Sequence, residues 1–380
     1  LYRMKIILMK AAVVILNSAY LIFKPFKLKN KIVILSRQAN HPTIDIKLLR
    51  EDLNRRNAKT IVLAKRLQKS FLGVIKYGVH MMHQMYHIAT SKVVVIDGYC
   101  ILASILKKKK EQNIVQIWHS LGAVKKFGYQ SVGKPGGNRE DVVKVMKLYR
   151  NYDYIIAPSQ RTADIYSEAF EIDREKVKLY GLPRIDYIKN EDKHIQEKIL
   201  EDYPKLNEKE NVLYAPTFRK NGRLNIEGFL EGFDFERYNL IIRKHWLDKT
   251  DYENAIGRGA VMAKSYDILD WLKISDKVIT DYSATVFEAL LMDKELYFYI
   301  PDVHEYEKNV GLNVDFMKEG IGEYIYTGAD RLFKEMEREY DKEKIRNFKE
   351  KYISVDCNNV TYKLSDFLIS LMNDIEGEHS

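Results

Sequence analysis

The feature that most constrains this chain is a twice-repeated alternation of short β-rich runs with longer helical stretches. The first series comprises residues 31–36 (KIVILS), 60–64 (TIVLA), 92–97 (KVVVID), 114–118 (IVQIW), 154–158 (YIIAP) and 177–180 (VKLY). The second comprises 211–215 (NVLYA), 238–243 (YNLIIR), 277–280 (KVIT) and 295–299 (ELYFY). Near-continuous apolar runs separated by helix-length intervals predict parallel strands joined by βαβ crossovers. The expected class is therefore α/β, with two Rossmann-like domains. Ligands of such sheets bind outside the carboxyl ends of the strands, so function is expected in the loops after these runs and in a cleft shared by the two domains.

Charge divides the chain where the two series meet. Residues 1–190 carry 35 Lys+Arg and 14 Asp+Glu, a net of +21, and residues 191–380 carry 27 and 39, a net of −12, which together make the overall +9. Residues 189–210, rich in charge and bearing Pro204, read as the linker between an N-terminal domain over 31–190 and a C-terminal domain over 191–380. The basic half calls for an anionic partner, for which nucleic acid, a membrane surface and a phosphorylated substrate are the candidates. Its cations are scattered over βαβ units without a nucleic-acid motif, which argues against nucleic acid. Two cysteines, Cys100 and Cys357, lie far apart and outside any metal spacing, so neither a disulfide framework nor a zinc site is expected.

Residues 1–30 form a separate element. The apolar run 11–23, broken by Asn17 and Ser18, is followed by Lys24, Lys27, Lys29 and Lys31. It is shorter than the roughly 20 residues that span a bilayer. It reads as an interfacial helix attracted to anionic lipid, the alternative being a helix packed on the protein's own core.

The loops after the runs carry the chemistry. His119-Ser120, with Lys125 and Lys126 shortly after, follows 114–118. A titratable ring beside a hydroxyl and two cations suits proton transfer near phosphate, although a histidine that merely ends a strand reads the same. Arg243-Lys244-His245 stands at the end of 238–243. The segment Asp281-Tyr282-Ser283-Ala284-Thr285-Val286-Phe287-Glu288 reads as a strand end, a polar turn and the start of a helix. Ser283 and Thr285 can cap that helix, its N-terminus can hold an anion, Asp281 can orient a donor and Glu288 can reach a ribose hydroxyl; a capped helix without further role is the alternative. Thr217 and Arg219 follow 211–215, and Gly181-Leu182-Pro183-Arg184-Ile185-Asp186 closes the first series.

In their order these motifs resemble the CDP-glycerol glycerophosphotransferases, the TagB/TagF-like teichoic acid enzymes. The resemblance runs over about residues 114–312: Trp118-His119-Ser120 with Lys125-Lys126, the Gly181–Asp186 motif, Tyr214-Ala215-Pro216-Thr217-Phe218-Arg219, Arg243-Lys244-His245, 275–284, and Tyr299-Ile300-Pro301-Asp302 through Tyr306. It departs at Ser120-Leu121, where the family has Gly-Thr, at Trp246 (Pro), at Ala284 (Ser) and in the opening loop 36–42. These departures bear on substrate detail.

The resemblance implies a GT-B-like fold. It also implies transfer of glycerol phosphate or ribitol phosphate from a CDP-polyol to a hydroxyl of a lipid-linked saccharide or polyol-phosphate acceptor in teichoic acid or capsule synthesis, with release of CMP. His119 would be the general base. His245, Arg243, Ser283 and Thr285 would hold the pyrophosphate, with Asp281, Tyr282, Glu288, Thr217 and Arg219 as further donor contacts and Ser120, Lys125 and Arg184 facing acceptor or phosphate. No cofactor and no protein-bound metal are expected, and the place of action is the cytoplasmic face of the membrane, as a peripheral protein. A GT-B glycosyltransferase using a nucleotide sugar on a lipid-linked acceptor is the alternative.

Overall fold

Apolar runs that must be covered on both faces become the inner strands of two parallel sheets. The computed structural model describes residues 2–68, 70–190, 193–219, 224–245, 247–316 and 318–373. The chain divides into two units, and neither is one continuous stretch.

The first unit takes residues through Ser120, Lys126–Tyr187 and those from Ser354 onward. Its strands are β1 (Lys29–Ser36), β2 (Thr60–Ala64), β3 (Ser91–Ile96), β4 (Asn113–Gln116), β5 (Tyr154–Ala157) and β6 (Val177–Leu179), in the order β2-β1-β3-β4-β5-β6. Every residue of β3, and Lys31–Ser36 of β1, is buried. Strand order reverses between β1 and β3, the point where such sheets place their ligands. There Ser36 Oγ donates to the buried Asp97 carboxyl at 2.6 Å. Burial pushes that carboxyl up to about 7; Asp45 adds to the rise, and Ser36 and Arg184 oppose it.

The C-terminal helix Val360–Asn373 returns to this unit and packs on β1, β3 and helix Ile44–Arg55. The Gly181–Asp186 motif serves that return. Gly181 adopts φ +78°, a left-handed turn that glycine accepts without strain. The Asp186 carboxylate accepts from the Val360 and Thr361 amides at 3.0 and 2.7 Å, which caps the helix.

The N-terminal helix is longer than the apolar run alone suggests. It extends over Tyr2–Leu21, twenty residues of which only Tyr20 is buried, and it is long and apolar enough to cross a membrane. Lys5 and Lys10 are good helix formers, so they join 4–9 to the run instead of ending it. Tyr2 anchors its start, donating to Asp141 at 2.6 Å with the Arg139 guanidinium 4.0 Å over its ring.

The second unit takes Leu121–Lys125 and Ile188–Ile353. Its strands are β7 (Glu210–Ala215), β8 (Tyr238–Ile242), β9 (Val261–Met262), β10 (Lys277–Thr280), β11 (Glu295–Tyr299) and β12 (Ile325–Tyr326), ordered β12-β11-β10-β7-β8-β9. This is the dinucleotide-fold order, with its reversal between β7 and β10. Two-residue β9 and β12 carry no periodicity and were not expected. Much of the region expected as linker is structured: Lys193–Asp202 is a helix with Ile199 buried, and Pro204–Asn207 forms a 3₁₀ turn; residues 191 and 192 lie outside the described residues. The segment Leu121–Lys125 is tied in by the Asn313 amide donating to Val124 O at 2.8 Å and by Asn313 Nδ2 donating to Lys125 O at 2.9 Å. Gly122 faces the Phe287 ring, which a Cβ would meet at 2.5 Å.

Two outcomes follow for the first unit. Asp186→Ala should lower stability by about 1 kcal/mol through loss of the helix cap, read as a melting temperature about 2–4 °C lower. For Asp97 the folded value lies above its ordinary 3.8, so between those two values the folded chain holds a proton that the unfolded chain has released. Its contribution to stability therefore falls as pH rises from about 4 to about 7, by up to about 1.4 kcal/mol per unit, and is level above that. In denaturant titrations across this range, Asp97→Asn should gain on the wild type as pH rises.

Candidate active site

His119 is positioned by the backbone around it. Trp118 takes a left-handed conformation at φ +61°, turning the chain out of β4. Its amide donates to Gln116 Oε1 at 2.8 Å, and Gln116 Nε2 donates to Gly98 O at 3.0 Å. The Trp118 ring stacks on Phe127 with centroids 4.7 Å apart and meets Phe170 edge-on. His119 Nδ1 lies 3.1 Å from Asp97 O. A carbonyl only accepts, so Nδ1 carries the hydrogen and the basic nitrogen of the neutral ring is Nε2.

Arg184 stands behind this loop. It donates from Nε and Nη2 to Asp45 Oδ2 at 2.9 and 2.5 Å, and from Nη2 to His119 O at 2.9 Å. The structure thus makes Arg184 a support of the His119 loop. Ser120 is buried, and its carbonyl accepts from the Tyr166 hydroxyl at 3.3 Å.

In the second unit the organising group is Asp281, directly after β10 and 2% exposed. Its Oδ1 accepts from the Thr217 and Tyr282 amides at 2.9 and 2.6 Å, and its Oδ2 accepts from Arg219 Nη1 at 2.9 Å. Arg219 also donates to Asp302 from Nε at 2.5 Å and from Nη2 at 3.0 Å. Burial alone would lower the Arg219 pKa, but the two carboxylates hold it raised, so the guanidinium stays charged. Tyr282 donates to Asp302 at 3.2 Å, and its ring stacks on Tyr306 at 3.8 Å. Thr217, Arg219, Asp281 and Tyr282 are thus brought together as one ionic core at the strand-order reversal. Asp302 completes it; sequence reading placed Asp302 in a motif but gave it no role, because its partner is 83 residues away.

Lys125 joins this core and not the His119 loop. Burial lowers its pKa, Asp281 opposes the shift and Arg219 adds to it. His245, after β8, stacks on Phe218 with centroids 4.7 Å apart. Its Nδ1 accepts from the Leu247 amide at 3.2 Å, so the neutral ring carries its hydrogen on Nε2. That is the opposite tautomer to His119. Arg243 is held by the Ala263 carbonyl at 2.9 Å. Trp246 lies outside the described residues.

The anion site expected at the next helix is weaker than the sequence suggests. The helix spans only Thr285–Leu291, its cap is Ala284, and no side chain caps it in that position. Ser283 Oγ instead pairs with Thr285 Oγ1 at 3.0 Å and accepts from the Thr285 amide at 3.3 Å. A helix of under two turns offers little dipole to an anion. Glu288 is buried within that helix. The residue that sequence reading missed outright is Asp97; the signal was an acidic residue directly after the apolar run Val93–Ile96.

Comparison with known proteins shows the family and the fold. A family model described as CDP-Glycerol:Poly(glycerophosphate) glycerophosphotransferase matches residues 16–370. The teichoic acid ribitol-phosphate primase of Bacillus spizizenii is 29% identical over 358 residues, covering 90% of this chain and 92% of the relative. The teichoic acid glycerol-phosphate primase of Bacillus subtilis is 27% identical over 322 residues, covering 82% and 83%. Among solved structures, a variant of the wall teichoic acid polymerase TagF superposes with a TM-score of 0.74 at 20% identity, with 99% of each chain covered, so the GT-B-like α/β fold is shared. The chain belongs to the CDP-glycerol:poly(glycerophosphate) glycerophosphotransferase family and is an enzyme of that type.

Proposed function

We propose that this enzyme moves a polyol phosphate, glycerol phosphate or ribitol phosphate, from its CDP conjugate to a hydroxyl of a membrane-linked teichoic acid or capsule precursor. The observation that carries the mechanism is the pair of opposite histidine tautomers, His119 basic at Nε2 and His245 bearing hydrogen at Nε2. The acceptor O–H gives its proton to His119 Nε2 as its oxygen attacks the polyol-bearing phosphorus. The new O–P bond forms, the P–O bond to CMP breaks, and CMP leaves. His245 Nε2–H donates a hydrogen bond to the phosphate oxygens, where negative charge grows. Lys125, whose charged form the Asp281 carboxylate favours and burial and Arg219 oppose, is a further cation for the diphosphate. The activated donor supplies the chemistry, so no resident cofactor is required.

The enzyme would work at the cytoplasmic face of the membrane, on an acceptor carried by lipid. Support comes from the exposed apolar helix Tyr2–Leu21 and from the absence of any Asp or Glu before Asp45.

CMP release from CDP-glycerol and CDP-ribitol tests the assignment, and turnover of UDP- or GDP-sugars alone would overturn it. His119→Ala and His245→Ala should each lower kcat by about a hundredfold or more while melting temperatures stay near wild type. The two tautomers predict a further difference. His245→Gln keeps an N–H donor and should recover part of the rate, whereas His119→Gln has no basic nitrogen and should recover none. Arg219→Met leaves the buried Asp281 carboxylate beside the half-buried Asp302 without their shared cation and should destabilise the protein by about 3 kcal/mol, measured by denaturant unfolding.

A further inference from the structure

Gly98 is a glycine that its own backbone does not require. It follows Asp97 just after β3 and does not take the left-handed conformation that calls for glycine. What it supplies is room. A Cβ there would stand 3.0 Å from Gln38 Nε2 and 3.9 Å from His119 Nδ1, and the first of these is closer than packed atoms ordinarily come. The missing side chain lets the Gln38 carboxamide lie against Gly98, beside the ring of the proposed base.

Gln38 is held there by its backbone. Its amide donates to Ser36 Oγ at 3.2 Å and its carbonyl accepts from Arg66 Nη2 at 2.6 Å, while Asn40 Oδ1 accepts from the Arg66 amide at 3.0 Å. Ser36 in turn donates to the Asp97 carboxyl, and the Asp97 carbonyl accepts from His119. One residue therefore ties the Gln38 loop to the His119 ring. The carboxamide of Gln38, a half-buried residue, has no hydrogen-bond partner among the described residues. A glutamine side chain that folding does not use, carried by a fastened loop beside His119 at the reversal of strand order, is placed for a ligand.

Its chemistry narrows what that ligand presents. A carboxamide is uncharged and offers both a donor and an acceptor, so it matches a hydroxyl, which has both, better than a phosphate oxygen, which accepts. His119 takes the proton of one acceptor hydroxyl. The end of a glycerol or ribitol unit carries a second hydroxyl on the neighbouring carbon, and Gln38 stands on the side of the ring where such a neighbour needs a partner.

We propose that Gln38 is a specificity-determining residue whose carboxamide holds the hydroxyl adjacent to the attacking one, so that the enzyme reads a vicinal diol on its acceptor. The inference rests on the proposed transfer of a polyol phosphate with His119 as base.

The test measures CMP release by the full chain from CDP-glycerol and CDP-ribitol with two acceptor probes: the octyl phosphodiester of glycerol, whose free end is a vicinal diol, and the same diester lacking the middle hydroxyl. The wild type should use the diol with kcat/KM about tenfold higher, the worth of one good neutral hydrogen bond. Gln38→Ala should raise KM for the diol about tenfold, treat the two probes alike, and keep the wild-type KM for the CDP donor and the wild-type melting temperature. Gly98→Ala displaces the carboxamide, so by itself it should have the same effect on the diol, and added to Gln38→Ala it should cost nothing more. Equal use of both probes by the wild type, discrimination that survives Gln38→Ala, or losses that add in the double variant would each overturn the role of Gln38. CMP release that neither probe stimulates would overturn the diol and leave the donor assignment standing. Absence of CMP release under all these conditions is failure of the transferase reading itself, and the inference falls with it.

Discussion

A parallel strand can be joined to its neighbour only by a crossover, and that single constraint arranges everything functional here. Both faces of each sheet must be covered, so the strands are mostly apolar, and the few buried polar side chains within them, such as Ser36 and Gln116, are taken up by local hydrogen bonds. The crossovers return the chain to the same edge each time, so every strand ends at the same side of its sheet. His119 after β4, His245 after β8, Thr217 after β7 and Asp281 after β10 are four consequences of that one rule.

Where strand order reverses, two adjacent strand ends are left without a crossover between them, and both units fill that gap with a buried carboxyl. The solutions differ in charge. In the first unit Asp97 meets a neutral serine hydroxyl, and burial holds it partly protonated near neutrality. In the second, Asp281 meets two amides and a guanidinium that is itself shared with Asp302, so a full ionic network forms. A buried carboxylate is tolerated when hydrogen bonds and charge offset its burial; two amides and a guanidinium do so for Asp281, whereas at Asp97 the hydrogen bond from Ser36 offsets burial only in part. The second unit, Leu121–Lys125 with Ile188–Ile353, carries 28 Lys+Arg and 34 Asp+Glu for a net of −6, and within it the Arg219 charge is committed to Asp281 and Asp302.

Much of the fold was legible from the sequence because continuous apolar runs between helix-length intervals have few other solutions. Ten of the strands stood out in this way, and two-residue β9 and β12 did not. The motifs were legible as positions, less so as roles. Arg184 and Arg219 read as phosphate ligands because an arginine after a strand is the usual anion hook. Their guanidiniums instead clamp Asp45, and Asp281 with Asp302. Local sequence cannot announce such partners, since each carboxylate is contributed by a distant element.

By itself the amino-acid sequence determined the two parallel sheets, the order of the motifs and the charge reversal, all of which depend on local pattern and composition. The tertiary structure decided which nitrogen of each histidine carries hydrogen, since that follows from Asp97 O and the Leu247 amide arriving beside the rings. It also decided that Lys125 belongs with Asp281, that the C-terminal helix closes the first unit, and that Asp186 caps it. Apart from the bond between Leu247 and His245, these contacts join groups far apart along the chain, and a contact of that kind exists only once the sheets have set the distances.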